Sequence, residues 1–301
     1  MIRIPAQGRQ CVSLTEAIWY NMGMIRKLVV ISGSGSYPKL LVEGAKKAGV
    51  EQVDVVSVAG STWRATRKAA DNVIPITLGT IAESIRKIGT MGYDGGILAG
   101  QINPLSLFRS RFDREVTEWL KELPVKNAHT VFSKLIEKFA ESGVKILPAS
   151  LYMDDNIPGV GPLTKRGFTP EELSDVEHAS RVAHDMGVHD VGQTVMVKRG
   201  MVLAVEAFEG TNRAIKRGGK LGGKGGIVFK AAREGHDMRF DIPVVGIKTL
   251  KVMKRAGATA LGFQAGRIIL LDKEATIDFA DKNGMAIVGV ESGLPPAPVR
   301  V

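Results

Sequence analysis

The stretch Leu28-Val-Val-Ile-Ser-Gly-Ser-Gly-Ser-Tyr-Pro38 decides the fold. Leu28–Ser32 reads as a short β-branched strand, and the glycine turn after it opens a helix over Lys39–Gly49. The alternation then repeats. Asp54–Val58 and Val73–Thr77 read as strands, Thr80–Gly89 as a helix, and Gly95–Ala99 as a strand. Helices around Leu105–Leu123 and His129–Ser142 and a strand at Val144–Leu147 follow. Strands separated by helices of this length predict a parallel sheet covered on both faces, an α/β fold.

Outward from this block the periodicity breaks at Asn156–Gly167, which is rich in glycine and proline and reads as a linker. Thr169, Pro170 and Glu172 then spell a capping box with proline in the first helical turn, and Gly187 ends that helix. Strands Thr194–Lys198 and Met201–Phe208 form a hairpin through Arg199-Gly200, followed by a basic glycine-rich loop and the strand Ile227–Ala231, which contains Lys230. Helix Thr249–Ala256, strand Ala260–Phe263, helix Lys273–Asn283 and strand Ala286–Val290 complete a second α/β domain. The predicted boundaries are an extension over 1–23, a first domain over 24–152, a linker over 153–168, a second domain over 169–290 and a mobile tail over 291–301.

With 301 residues, 44% of them apolar and 24% charged, the chain suits two soluble domains. No apolar run reaches the ~18–20 residues of a membrane span. One cysteine, Cys11, fits a reducing compartment and excludes an internal disulfide framework. The formal charge of +10 favours anionic partners: phosphorylated metabolites or an anionic bilayer surface, or else a solvated lysine coat. Nucleic acid is not expected, because aromatics are sparse and no zinc spacing or RNA-binding aromatic motif is present.

The candidate chemistry lies between Val195 and Val244. Glu206 sits inside the second hairpin strand, Glu209 just beyond it before Gly210-Thr211-Asn212, and Asp241 within Arg239-Phe-Asp-Ile-Pro243. Carboxylates in strands are costly to bury unless paired or bound to a cation, so metal ligation and a buried Arg–Asp pair both remain open for Asp241. Asp190 and Gln193 precede the hairpin as oxygen donors or as turn residues. The loop Lys216–Gly226, with Arg217, Lys220 and Lys224, is too rich in glycine to be rigid. It closes over phosphates, rests on anionic lipid, or is simply solvated.

In the first domain, Gly33, Ser34 and Gly35 stand where helix N–H groups receive a phosphate, against the alternative of a plain tight turn. Gly100, Gln101 and Asn103 follow a later strand, at ligand-contact positions that a helix start explains equally well. Pro38 replaces the third glycine of a dinucleotide fingerprint, and no acidic residue ends the second strand, which argues against a nicotinamide cofactor. The five histidines are scattered, His178 and His184 lying on different faces of one helix, and read as structural.

Taken in order, Asp190-Val-Gly-Gln193, Val202-Leu-Ala-Val-Glu-Ala-Phe-Glu-Gly-Thr211 and Arg239-Phe-Asp-Ile-Pro243 resemble the UDP-2,3-diacylglucosamine diphosphatases of lipid A biosynthesis, of the LpxI type. Gly33–Pro38 and Ala99-Gly100 match more loosely. The resemblance covers about Lys27–Val290. It implies a Rossmann-like N-terminal domain and a distinct C-terminal α/β catalytic domain, in a cytoplasmic enzyme peripheral to the inner membrane of a Gram-negative bacterium. It further implies Mg²⁺-assisted hydrolysis of UDP-2,3-diacylglucosamine to UMP and 2,3-diacylglucosamine 1-phosphate (lipid X), with water attacking the β-phosphorus. On that resemblance Asp241 is the essential carboxylate. Glu206 and Glu209 support the cation, with Asp241 and Glu206 as its ligands. Gly33, Ser34, Gly35, Gly100, Gln101, Asp190, Gln193, Thr211, Asn212, Lys230 and Arg239 contact the substrate.

Two positions depart from the family pattern. Ser34 replaces the middle of three glycines, and Asn212 stands where an aspartate is common. They keep a non-catalytic nucleotide-sugar or lipid-head-group binding protein in view. A dinucleotide-dependent oxidoreductase rests on the Gly-x-Gly turn alone. The calcineurin-like route to this reaction needs Asp-x-His and Gly-Asn-His motifs, which are absent. The oligomeric state, a homo-oligomer included, is not legible.

Overall fold

The computed structural model describes residues 24–58, 60–101, 113–125, 128–189, 191–232, 237, 239–240 and 242–291. The described residues form two compact units. One comprises those of 24–154 with Asp237, Arg239 and Phe240; the other comprises those of 155–232 and 242–291. The expected class holds: each unit is α/β, and their sheets are separate.

The N-terminal sheet has four parallel strands, β1 (Lys27–Ser32), β2 (Gln52–Val58), β3 (Val73–Ile76) and β4 (Gly95–Ala99), in the order β3-β2-β1-β4. β1 is almost wholly buried, as its uninterrupted apolar run requires of a strand covered on both faces. The chain builds outward from β1 through β2 to β3, then returns to place β4 on the other side. The switch point therefore lies between β1 and β4. The expected strand Val144–Leu147 reduces to one parallel bridge between Ile146 and Gly96.

Around this sheet lie α1 (Tyr37–Lys47), α2 (Arg64–Ala69), α3 (Ile81–Gly89), α4 (Arg114–Lys121) and α5 (Ala128–Glu141). The first half of the helix expected over Leu105–Leu123 lies outside the described residues, as do the extension 1–23 and nearly all of the tail. Phe240 packs into this unit, stacked on Phe132 (5.5 Å between ring centroids) and edge-on to His129 (5.2 Å). Its ring is why Arg239 and Phe240 leave the predicted second domain and join the first.

The C-terminal sheet has six strands in the order β5-β12-β10-β8-β6-β7. They are β5 (Gly161–Pro162), β6 (Thr194–Lys198), β7 (Met201–Val205), β8 (Gly226–Lys230), β10 (Ala258–Gln264) and β12 (Ala286–Val290). A small parallel pair, β9 (Val244–Val245) and β11 (Ile269–Leu270), stands apart. The central β8, β10 and β12 are parallel, while β6 runs antiparallel to both β8 and β7. Side chains alternate as a pleated strand demands. Val195, Val197, Ile227 and Phe229 face α6 (Pro170–Val188), whereas Met196, Ala204 and Val228 face the side covered by α7 (Thr211–Gly222) and α8 (Ile247–Ala256).

Two sequence expectations change here. The segment read as a linker supplies β5, an edge strand on β12, and Arg166, which binds Glu172 with both guanidinium arms (2.7 and 3.0 Å). The Thr169–Glu172 capping box forms as spelled. The basic glycine-rich loop is instead helical as far as Gly222. Its glycines are used for contact: a Cβ on Gly219 would stand 2.5 Å from the Ala256 carbonyl, and one on Gly218 2.7 Å from Met196 Sδ. Close approach to α8 and the sheet outweighs the ~1 kcal/mol by which glycine disfavours a helix.

Candidate functional site

Three strand ends meet at one edge of the C-terminal sheet. Thr194 opens β6, Lys230 closes β8 directly opposite it, and Glu206 follows β7 with its N–H on the Thr194 carbonyl (2.8 Å). Pleat parity sends all three toward α7: Thr194 lies two residues from Met196, Glu206 two from Ala204 and Lys230 two from Val228. Thr211, the first residue of α7, receives them. Its hydroxyl lies 2.9 and 3.0 Å from the two Glu206 carboxylate oxygens, accepts from Lys230 Nζ at 3.0 Å and stands 3.4 Å from Thr194 Oγ1.

This cluster is electrostatically mixed. Lys230 is buried, and burying an ammonium is costly without acceptors; Thr211, itself bonded to the Glu206 carboxylate, is one. No side chain caps the N-terminus of α7, where Gly210 turns the chain at φ +80°. An uncapped helix start beside a buried lysine attracts negative charge. Asn212 is exposed on the first turn of the same helix.

Glu209 is paired with an arginine of α7. Arg217 Nη2 binds it at 2.5 Å, and its other oxygen accepts from the Ala207 N–H at 3.2 Å. The Arg217 hydrogen bond holds its carboxyl below the ordinary glutamate range. Arg239 belongs to the N-terminal unit, where it grips Asp237 through Nε (2.8 Å) and Nη2 (2.5 Å) and lowers the Asp237 pKa. The Gln193 carbonyl accepts from the Ala231 N–H (2.9 Å). Asp190 and Asp241 lie outside the described residues.

Magnesium prefers several oxygen ligands. Among the described residues no three of His, Cys, Asp and Glu gather. Glu206 shares its cluster with an ammonium, so these residues alone do not compose a magnesium site.

At the N-terminal switch point, Ser34 and Gln101 form an antiparallel bridge, each N–H on the other's carbonyl at 2.9 Å. Gly33 N–H donates to Ala99 (2.8 Å), so the amides of Gly33 and Ser34 are already engaged in the crossing. Gly35, at φ +105°, then leads into α1. Ser61 and Thr62, after β2, donate hydroxyls to the Ser32 carbonyl at 3.4 and 3.1 Å. The carboxyl ends of β1, β2 and β4 are thus gathered where open parallel sheets bind ligands.

The cluster brings together Glu206, Thr211 and Lys230, all named from sequence, and adds Thr194, which was not. The missing signal was parity, because Thr194 shares its face with Met196.

A parallel-sheet domain with a switch-point crossing and a mixed-sheet domain with a charged cluster at its strand ends define a two-domain α/β protein. The sequence models of the LpxI N-terminal and LpxI C-terminal domains match residues 27–156 and 159–288. The chain belongs to the LpxI family. It is similar to the UDP-2,3-diacylglucosamine pyrophosphatase LpxI of Caulobacter vibrioides, 27% identical over 281 residues, spanning 89% of this chain and 98% of that protein. The biotin carboxylase domain of the Hydrogenobacter thermophilus 2-oxoglutarate carboxylase is 18% identical, covers 59% of this chain and 36% of its own, and has a TM-score of 0.26. That likeness is too slight to argue from.

Proposed function

We propose that this protein hydrolyses the pyrophosphate of UDP-2,3-diacylglucosamine to UMP and 2,3-diacylglucosamine 1-phosphate, a step of lipid A biosynthesis at the cytoplasmic face of the inner membrane. The observation that carries the reading is that both LpxI domains run through the chain in order, at nearly the full length of the pyrophosphatase relative. In the step, a water oxygen bonds to the β-phosphorus and gives up a proton. The bond to the bridging oxygen breaks, and UMP carries that oxygen and its electron pair away.

Lys230 and the start of α7 bind the phosphate and offset its growing charge. Glu206, fixed by Thr211, supports the phosphate-binding geometry, and on the family resemblance Asp241 is the essential carboxylate that takes the water's proton. Glu209 shapes the turn before α7 through Arg217. Magnesium would supply further charge neutralisation for the pyrophosphate.

UMP release from the substrate in detergent micelles, with Mg²⁺ and with excess chelator, tests the reading. Asp241→Ala should retain substrate and turn it over at least ~100-fold more slowly, a loss of ~2.7 kcal/mol or more. Near-normal turnover removes Asp241 from the role, and release unaffected by chelator removes magnesium. A wild type that binds substrate without releasing UMP favours the non-catalytic reading suggested by Ser34 and Asn212.

A further inference from the structure

Helix α7 reads Thr-Asn-Arg-Ala-Ile-Lys-Arg-Gly-Gly-Lys-Leu-Gly, with four cations and no carboxylate. At ~100° per residue, Arg213, Lys216, Arg217 and Lys220 fall within an arc of about 100°, opposite the buried Ala214, Ile215 and Gly218. All four are exposed. Leu221 borders the stripe and is 70% exposed.

The turn that feeds this helix holds an aromatic ring in water. Gly210 N–H closes on the Ala207 carbonyl (3.1 Å), Ala207 N–H on Glu209 (3.2 Å), and Arg217 clamps Glu209 from the helix (2.5 Å). Phe208 stands in this fixed turn with its side chain fully exposed, the most exposed large apolar residue among those described. Val191 adds to the same surface. It is exposed, and its neighbour Gly192 lies so close to the Glu206 carbonyl that no Cβ fits.

A rigidly presented phenylalanine beside a row of cations matches a partner with surface phosphates over an apolar interior. A second copy would set one cationic stripe against another, and a nucleic-acid duplex, its bases stacked on each other, would leave the ring in water. We infer that this face docks on an anionic phospholipid bilayer, Phe208 entering the acyl region while Arg213, Lys216 and Lys220 meet the phosphates. The cluster of Glu206 and Thr211 flanks Phe208 in sequence, so docking brings the lipid surface to the proposed site. That consequence rests on the lipid substrate proposed above, whereas the docking itself does not.

The test is flotation of the full chain with vesicles of phosphatidylcholine, alone or mixed with phosphatidylglycerol, in the absence of substrate. Binding should require phosphatidylglycerol. Phe208→Ser should weaken it roughly ten-fold, and Lys216→Ala and Lys220→Ala about five-fold each. Phe208→Trp should shift its emission to the blue on the same vesicles. All these side chains are exposed, so the variants should melt like the wild type. Failure to bind anionic vesicles, or binding indifferent to these substitutions, overturns the proposal. So does a lower oligomeric mass for Phe208→Ser in sedimentation equilibrium, which would assign the face to a second copy. Because substrate is absent, a failure to dock and a failure to hydrolyse are read separately.

Discussion

The two glycine-rich regions of this protein look alike in composition and do different physical work. Around Gly33, Gly35 and Gly100, glycine supplies backbone conformations and lets two chain segments cross. Gly35 and Gly100 adopt φ of +105° and +89°, and a Cβ on Gly33 would stand 2.6 Å from the Gln101 carbonyl. In α7 the glycines at 218, 219 and 222 remain helical and bring the helix against its neighbours. One region needs glycine for its torsions as well as its size, the other for its size alone.

Substitutions can break that distinction. Gly100→Ala meets both demands at once, since its φ of +89° disfavours an L side chain and a Cβ would come within 2.8 Å of the Ser34 carbonyl. Urea unfolding should show a loss of about 3 kcal/mol or more. A loss below ~1 kcal/mol would mean that the crossing relaxes.

The Arg166–Glu172 pair sharpens the contrast between the units with pH. Burial alone would raise the Glu172 pKa, but hydrogen bonds from Arg166, Thr259 and the Thr169 N–H outweigh it and lower the value. A carboxylate whose folded pKa lies below its unfolded one stabilises above the unfolded value and loses that contribution as pH falls through the folded one. Glu172→Gln should therefore cost about 2 kcal/mol at neutral pH, with the gap to wild type closing on acidification below the usual glutamate value of ~4.3. A gap independent of pH would show that charge is not what the pair contributes.

Gly219→Ala sets helix propensity against packing. Alanine gains ~1 kcal/mol in a helix interior, yet its Cβ would press on Ala256. The expected net result is a loss of about 1–2 kcal/mol by chemical denaturation, and a gain would reverse the account of α7. Gly35→Ala should be mildest, about 1 kcal/mol, because nothing lies within 4 Å of its Cβ and only φ resists.

Much of the architecture was legible because its signals are local. The Thr169-Pro-Glu-Glu172 start, the β-branched strands and the spacing that makes a sheet parallel all depend on near neighbours. Glu206 and Lys230 were legible as charges within apolar strands, and that both stand where strands end was not. The capture of Phe240 by Phe132 and His129 was not, because that contact spans more than a hundred residues. Nor was the edge strand at Gly161–Pro162, whose proline and glycine read as a linker until β12 pairs with them.

The sequence by itself determined the α/β class, the two domains and the family, since periodicity, caps and ordered motifs are written in the residues. Only the tertiary structure decided that Thr194, Glu206, Thr211 and Lys230 form one cluster, that Glu209 serves Arg217, and that glycines 218–222 make a helix. Each of those outcomes depends on which distant backbone or side chain stands opposite, and local sequence does not encode that distance.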